Sequence, residues 1–431
     1  MKVSLITLGC SKNLVDSELI SGTLKKKGYR LVKEDQADVI ILNTCGFIGD
    51  AKRESISTAL ELLEYKKSGN CKKFILTGCL VERYSEQLKE EIPEIDGFWG
   101  TGSLHQIDEL LENTAIDFKN NPQGTLYDPD SPRELLTSTH SAYVKVSEGC
   151  SRTCTFCIIP KMRGLMKSRP VDSIKREIEC LGDKGVKEIN LIAQDMTSYG
   201  RDIGTTLEKM LLELSDIKNI EWLRLHYLYP WGVTDSLIEL MSGDNRILPY
   251  IDMPLQHIND RILKIMDRKT DRKRTIDIIS RLRTIKDLTL RSTFIVGFPG
   301  ETDQEFEELL EFIEEYKFDR AGAFKYSREE GTKAALLKDQ VEEEVKEKRL
   351  ENLMELQSDI SYQKNLKLIG TKQTAIVDGF ENDNLIARLS SQAPEVDGNT
   401  YLDSNNNSLI GNVVEITINE CDIYDLYGTI N

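Results

Sequence analysis

The chain has 431 residues, 39% hydrophobic and 30% charged, with 56 basic against 72 acidic side chains and a formal net charge of −16. That length accommodates two or three domains with sizeable cores, and the composition is that of a globular protein rather than a disordered one. No apolar run approaches the length of a membrane span, and the acidic balance sits poorly with a large nucleic-acid footprint while suiting a basic partner. The N-terminus carries no basic n-region, apolar h-region or small-residue cleavage site, so a cytoplasmic location is expected. In that compartment nine cysteines point to metal or redox chemistry rather than to disulfides.

Residues 1 to 117 read as alternating strands and helices. Val3–Leu8, Val39–Asn43 and Phe74–Thr77 are short apolar runs suited to buried parallel strands, with helical patterns at Leu14–Lys27 and Ala51–Lys67. A cysteine follows each strand: Cys10, Cys45 and Cys79. Loops at the carboxyl ends of neighbouring parallel strands converge, so these three thiols should meet at one edge. Three converging thiols with no fourth donor in pattern suit an iron–sulfur cluster with one free iron; the alternative is three strand-end cysteines packed as small hydrophobes. Residues 116–138, with Asn120-Asn121-Pro122, Asp128-Pro129-Asp130 and Pro132, have the composition of a linker.

From residue 136 to 365 the alternation resumes. Strands are predicted at Ala142–Ser147, Glu188–Ala193, Trp222–His226, Ile251–Met253, Thr289–Val296 and Ala321–Tyr326. A helix is predicted over Asp303–Tyr316, where Phe306, Leu309, Leu310 and Ile313 share a face. Six strands in parallel order predict an open or closed β/α barrel with its chemistry at the strand carboxyl ends. There, after the first strand, Cys150, Cys154 and Cys157 place three thiols in eight residues. Three such thiolates can bind three irons of a cubane [4Fe–4S] cluster and leave the fourth open to a substrate, as a catalytic zinc keeps one position open. A closed zinc site would want a fourth donor, and residues 140–170 supply only His140.

Other loops carry weaker signals. Ala193-Gln194-Asp195 offers polar groups to a ligand, and Gly297-Phe298-Pro299-Gly300-Glu301 can bring backbone close to a nucleotide or serve simply as a turn. His257 reads as a hydrogen-bonding residue. Lys161, Arg163, Lys167 and Arg169 read as a solvated basic face, with carboxylate binding as the alternative. Val341–Leu366 is a charged helical connector. Residues 366–431 change character: Gln373–Val377, Leu385–Leu389, Val413–Ile418 and Ile423–Tyr427 predict a small antiparallel β-barrel. Its basic residues are Lys367, Lys372 and Arg388 against ten acidic ones, a balance of −7 and the wrong sign for tracking a phosphate backbone. Cys71, Cys180 and Cys421 fall outside both triplets and read as structural thiols.

The Cys150/Cys154/Cys157 loop, with Phe156 before its last cysteine, resembles that of the radical S-adenosylmethionine (SAM) enzymes. Thr7-Leu8-Gly9-Cys10-Ser11-Lys12-Asn13 through Asp16-Ser17-Glu18, with Asn43-Thr44-Cys45 and Thr77-Gly78-Cys79, resembles the N-terminal domain of the methylthiotransferases, and the tail resembles their TRAM domain. The resemblance implies three domains, at 1–117, 136–365 and 366–431, the middle one a partial (β/α)6 barrel. It implies two [4Fe–4S] clusters, with SAM on the open iron at Cys150, Cys154 and Cys157 and an auxiliary cluster at Cys10, Cys45 and Cys79. It places Phe156, Gln194, Gly297 and Glu301 near the SAM. Gly9 through Glu18, Pro254-Leu255-Gln256-His257 and Ala393-Pro394-Glu395-Val396-Asp397-Gly398 resemble the branch that methylthiolates the β-carbon of an aspartate in small-subunit ribosomal protein S-twelve. The partners implied are that basic protein and an electron donor such as flavodoxin or ferredoxin. The acidic tail agrees physically, since such a surface steers towards lysine- and arginine-rich proteins. The competing readings are a transfer-RNA isopentenyladenosine methylthiotransferase, a non-catalytic iron–sulfur carrier or redox sensor, and a zinc-binding structural protein.

Overall fold

A computed structural model describes residues 1–102, 104–112 and 126–431. The first sheet is parallel throughout, in the order β2-β1-β3-β4-β5, from β1 (Lys2–Thr7), β2 (Arg30–Leu31), β3 (Val39–Thr44), β4 (Lys73–Gly78) and β5 (Gly97–Trp99). Alternation sorts its faces. Val39 and Ile41 meet Ile20 and Leu24 of α1 (Ser11–Lys26). Ile40 and Leu42 meet α2 (Gly49–Lys67) and α3 (Cys79–Glu91). A short α4 (Ile107–Glu112) adds Ile107 to the α1 side. Strands β2 and β5 were not expected, because two or three residues are too few to show a period.

The second sheet is also parallel and runs in chain order, β6 (Ser141–Lys145), β9 (Glu188–Ile192), β10 (Trp222–Leu225), β11 (Ile247–Asp252), β12 (Thr289–Val296) and β13 (Arg320–Lys325). It stays open between β6 and β13, a six-unit partial barrel. Between β6 and β9, the short antiparallel pair β7 (Ser147–Glu148) and β8 (Lys167–Ser168) pinches off a loop holding α5 (Ile159–Arg163). The outer helices are α6 (Val171–Asp183), α7 (Leu207–Leu214), α8 (Asp235–Gly243), α9 (Asp260–Ile265), α10 (Arg272–Leu282) and α11 (Asp303–Tyr316). Helix α11 begins at a Thr302/Glu305 capping box and buries Phe306, Leu309 and Ile313 as its pattern predicts. Helix α12 (Glu343–Leu366) is more than a connector. Its Leu353 is in the main core, and Gln357 Nε2 donates to Phe318 O at 3.2 Å.

The last sixty residues close a five-stranded barrel, β14 (Lys372–Glu381), β15 (Asn384–Leu389), β16 (Thr400–Leu402), β17 (Val413–Cys421) and β18 (Leu426–Ile430). It contains the three-residue β16, which pairs in parallel with β18 inside an otherwise antiparallel barrel. The strand expected at Ile423–Tyr427 starts three residues later, at Leu426.

This small barrel stops one end of the large one. Ile376 and Ala393 pack on Trp222, Leu248 and Tyr250, and Tyr250 Oη donates to Asp397 Oδ2 at 2.7 Å. The fastening is ionic. Arg388 Nη2 donates to Glu188 Oε2 at 2.7 Å and to Asp378 Oδ1 at 2.9 Å, while Arg224 holds Glu188 Oε1 at 3.0 Å. Burial disfavours the Glu188 carboxylate, but Arg388 and Arg224 more than offset it and hold its pKa well below the ordinary 4.5. Because the folded value lies below the unfolded one, this stabilisation is full above about pH 4.5 and is lost as acid titrates the folded carboxylate.

Arg388→Ala would leave Asp378 with His140 alone and take from buried Glu188 one of its two arginines, at a cost of about 3–5 kcal/mol. We expect earlier proteolysis and faster hydrogen exchange of β14–β18 at pH 7, with the difference from wild type shrinking as the pH falls below about 4.

Candidate active site

The first thiol triplet forms where three strands end. Cys10 caps α1, Cys45 follows β3, and Cys79 opens α3. Two glycines permit this closeness. At Gly9 (φ +91°) a Cβ would lie 2.7 Å from Cys45 Cβ, and at Gly78 (φ +96°) one would lie 2.3 Å from Asn43 Oδ1. Asn13 ties the loops together, its Nδ2 donating to Leu8 O at 2.9 Å and Thr44 O at 3.0 Å. Ser55 brackets Cys45, accepting from its N–H and donating to its carbonyl. Burial pushes the Cys79 thiol up to about 12; Arg163 opposes that, and nearby Cys10 and Cys45 add to it.

The second triplet lies in the loop pinched off by β7 and β8. Thr155 pins the loop, its N–H donating to Met266 O at 3.0 Å and its carbonyl accepting from Ala334 N at 2.8 Å. Burial pushes Cys157 up to about 12, and Cys154 and Cys150 add to it. Two arginines stack on the Tyr229 ring, Arg152 at 4.0 Å and Arg268 at 4.1 Å from its centroid. Arg268 Nη1 reaches Cys154 Sγ at 3.7 Å, and the Arg152 N–H reaches Cys150 Sγ at 3.4 Å.

The donor sets suit iron–sulfur clusters. Among the described residues, no three His, Cys, Asp or Glu side chains are placed to hold a single metal ion. A cubane cluster instead takes its thiolates on separate irons. Arg152, Arg163 and Arg268 supply positive charge where thiolates would gather. Gln194 adds a buried Oε1 without a hydrogen-bond partner, an acceptor for a ligand ammonium group.

The two triplets face each other. Cys79 packs on Ile158 and Met162, just beyond Cys157. Arg163, at the end of the same α5, reaches back to Asn13 Oδ1 at 2.6 Å and Asp16 Oδ2 at 2.9 Å, and across to Glu148 Oε1 at 3.2 Å. Lys145 bridges the same two carboxylates, Asp16 at 2.5 Å and Glu148 at 2.9 Å. Gln194 Nε2 donates to Glu148 Oε1 at 2.7 Å. On the other flank, Lys52 and Arg83 of the first sheet's helices both pair with Glu329, beyond β13. The carboxyl ends of the two parallel sheets are thereby held mouth to mouth.

Several expectations are revised. Arg163 and Arg169 are not on a solvated face; both are buried, Arg169 against Glu177 and the Tyr127 ring. Of the proposed linker, Asn120-Asn121-Pro122 lies outside the described residues, but its later part is docked, Arg133 clamping Glu18 of α1 to Glu177 of α6. Phe156 packs edge-on to Phe298 at 6.4 Å. Gly297 (φ +68°) lies where a Cβ would come within 2.3 Å of Lys346 Cγ. Glu301 is turned inward, accepting from Phe298 N at 2.9 Å and Arg349 Nη1 at 3.1 Å, with burial pushing its carboxyl up to about 7. These contacts brace the turn. His257 is fully buried, its Nδ1 accepting from Asn259 N at 3.0 Å. Cys71 and Cys421 are buried as expected of structural thiols, but Cys180 is exposed. Asn13 and Asp16 fall inside the N-terminal motif, which does not reveal their contacts, and Lys145 and Glu148 are marked only by their closeness to Cys150 in sequence.

Residues 2–100 match the family described as "Uncharacterized protein family UPF0004", residues 144–313 the Radical SAM superfamily, and residues 369–430 the TRAM domain. Curated proteins named "Ribosomal protein uS12 methylthiotransferase RimO" match end to end. That of Syntrophotalea carbinolica is 47% identical over 100% of this chain and 96% of its own, and that of Clostridioides difficile 45% identical over 100% and 99%. Among solved structures, the radical SAM methyltransferase TsrM of Kitasatospora setae superposes with a TM-score of 0.54 at 13% identity, over 75% of this chain and 74% of its own. The cobalamin-dependent SAM radical enzyme OxsB does so with 0.55 at 14%, over 80% and 56%. These two likenesses are of fold alone.

Asn13→Ala would strand the buried carbonyl of Thr44 and the half-buried one of Leu8 and remove one Arg163 contact, at a cost of about 2–4 kcal/mol. In the iron-free protein we expect Cys45 to be alkylated faster than in wild type, as read by peptide mass spectrometry.

Proposed function

The chain belongs to the RimO family of methylthiotransferases, and from that membership we propose that it methylthiolates the β-carbon of an aspartate in ribosomal protein uS12 (S-twelve). The observation that carries this reading is end-to-end identity of 43–47% to curated proteins of that name. Two further features support it: the facing thiol triplets and the acidic C-terminal barrel.

We assign Cys150, Cys154 and Cys157 to a [4Fe–4S] cluster with SAM on its open iron, and Cys10, Cys45 and Cys79 to an auxiliary [4Fe–4S] cluster. Bound there, these groups would supply what no side chain can: hydrogen abstraction from an unactivated carbon, a sulfur to put in its place and, from a second SAM, the methyl group that sulfur carries. The chain does the rest. Arg152 and Arg268 offset thiolate charge at one triplet and Arg163 at the other. Gln194, oriented by Glu148, offers its buried Oε1 to the amino group of the SAM methionine. Phe156 and the turn beginning at Gly297 border the nucleoside end. The Arg163–Asp16–Glu148–Lys145 network holds the triplets opposed, so that abstraction and sulfur insertion are served from opposite sides of one space. Residues 1–117, 136–365 and 366–431 act in this scheme as sulfur-donating, radical-generating and docking domains, with an external one-electron donor such as a flavodoxin or ferredoxin.

Charge favours a protein substrate over RNA. Arg388 is turned inward onto Glu188 and Asp378, so it gives the barrel surface no positive charge to offer a phosphate backbone. Such a surface repels a phosphate backbone and attracts a basic protein.

In cells lacking this gene, the aspartate-containing peptide of uS12 should lose its methylthio group while transfer RNA is unchanged, and neither Cys150→Ala nor Cys10→Ala should restore it. Loss from transfer-RNA adenosine instead would assign the chain to the RNA-modifying branch. Purified anaerobically, wild type should hold about eight irons per chain, and Ala replacement of all three cysteines of either triplet should leave about four.

A further inference from the structure

Two residues beyond Cys10, Lys12 is 7% exposed, yet no carboxylate among the described residues lies within ion-pair distance of it. Its Nζ sits 3.2 Å from the centroid of the Tyr227 ring. An ammonium in so enclosed a place normally has a counter-ion, because giving up even part of its hydration is costly and a π face returns only about 2 kcal/mol. The neighbouring cations Arg163 and Lys145 each have two carboxylates. Lys12 is therefore a cation placed to meet an anion from outside the chain. The first turn of α1, which carries it, adds its own positive end.

The position is specific. Tyr227 leaves the end of β10 with φ +61°, a strained value for a tyrosine, and is pinned by its carbonyl accepting from Met196 N at 3.1 Å. Two residues on, Tyr229 lies under Arg152 and Arg268 beside Cys154. One three-residue segment thus underlies Lys12 at the first triplet and the arginine pair at the second.

We propose that Lys12 is the receptor for the side-chain carboxylate of the substrate aspartate and so a specificity-determining residue; this rests on the uS12 reading above. An aspartate β-carbon is bonded directly to the carboxylate carbon. Holding that carboxylate at Lys12 therefore fixes the reacting carbon two bonds from the held oxygens, between the triplets. The stacked tyrosine restricts the ammonium to one side of its ring, and the ammonium's charge and donor-only character favour a carboxylate over a neutral amide.

The test is binding, not turnover. Cluster-reconstituted wild type, Lys12→Met and Lys12→Arg are titrated anaerobically with a fluorescent uS12 peptide carrying the target aspartate, and with its asparagine counterpart. The visible cluster absorbance confirms that each variant is loaded. Wild type and Lys12→Arg should prefer the aspartate peptide by about tenfold or more, and Lys12→Met should bind both alike. SAM affinity should be the same in all three. Retained aspartate preference in Lys12→Met would overturn the assignment, as would a parallel fall in SAM affinity, which would give Lys12 to the methionine carboxylate. If wild type binds neither peptide, the uS12 reading itself fails.

Discussion

Four buried charges hold the two halves of this molecule in register. Asp16 belongs to the first sheet's helix, while Lys145, Glu148 and Arg163 belong to the partial barrel, and each cation touches both carboxylates. None of them can be moved far alone, because an unpaired charge at that depth costs several kcal/mol, roughly, whereas the complete quartet is neutral. Asp16 stands six residues after Cys10, Glu148 two before Cys150, and Arg163 six after Cys157. Fixing the quartet therefore fixes the separation of the two thiol loops, to which the hydrophobic contacts of α1 with β6 add area but little directional preference.

Helix α1 shows why part of this was hidden in the sequence. Its strands announce themselves by apolar runs, as at Val39–Thr44, and the cysteines by spacing. The helix shows almost no apolar stripe, because it is walled in on two sides: Ile20 and Leu24 face the first sheet, while Val15 and Leu19 face Tyr143 and Ile192. A helix buried all round gives no periodic signal, and its buried polar residues, Asn13, Asp16, Ser17 and Glu18, read from sequence as a surface. The same reasoning accounts for Arg163 and Arg169. Charge runs are usually solvated, and only the fold brings Asp16, Glu148 and Glu177 to them. Likewise Arg133 turns a proline-bearing stretch into a strap by clamping two helices.

The motifs, by contrast, needed little help. Both triplets lie at strand carboxyl ends, where parallel-sheet geometry gathers loops. The loop residues were less legible, because a loop motif does not say which way its side chains turn. Gln194 points its amide to Glu148 and leaves a buried acceptor over, whereas Glu301 is consumed by its own turn and by Arg349.

The small C-terminal barrel has an implication apart from substrate recognition. Seated on Trp222, Leu248 and Tyr250 and locked through Arg388, it corks the amino-terminal end of the larger barrel. The strand ends at that side of the larger barrel are thus covered by protein rather than by solvent. A truncated protein lacking the barrel would bare Trp222, Leu248 and Tyr250 to water and leave Glu188 with one arginine in place of two. Impaired turnover in such a truncation therefore could not be ascribed to weakened recognition alone.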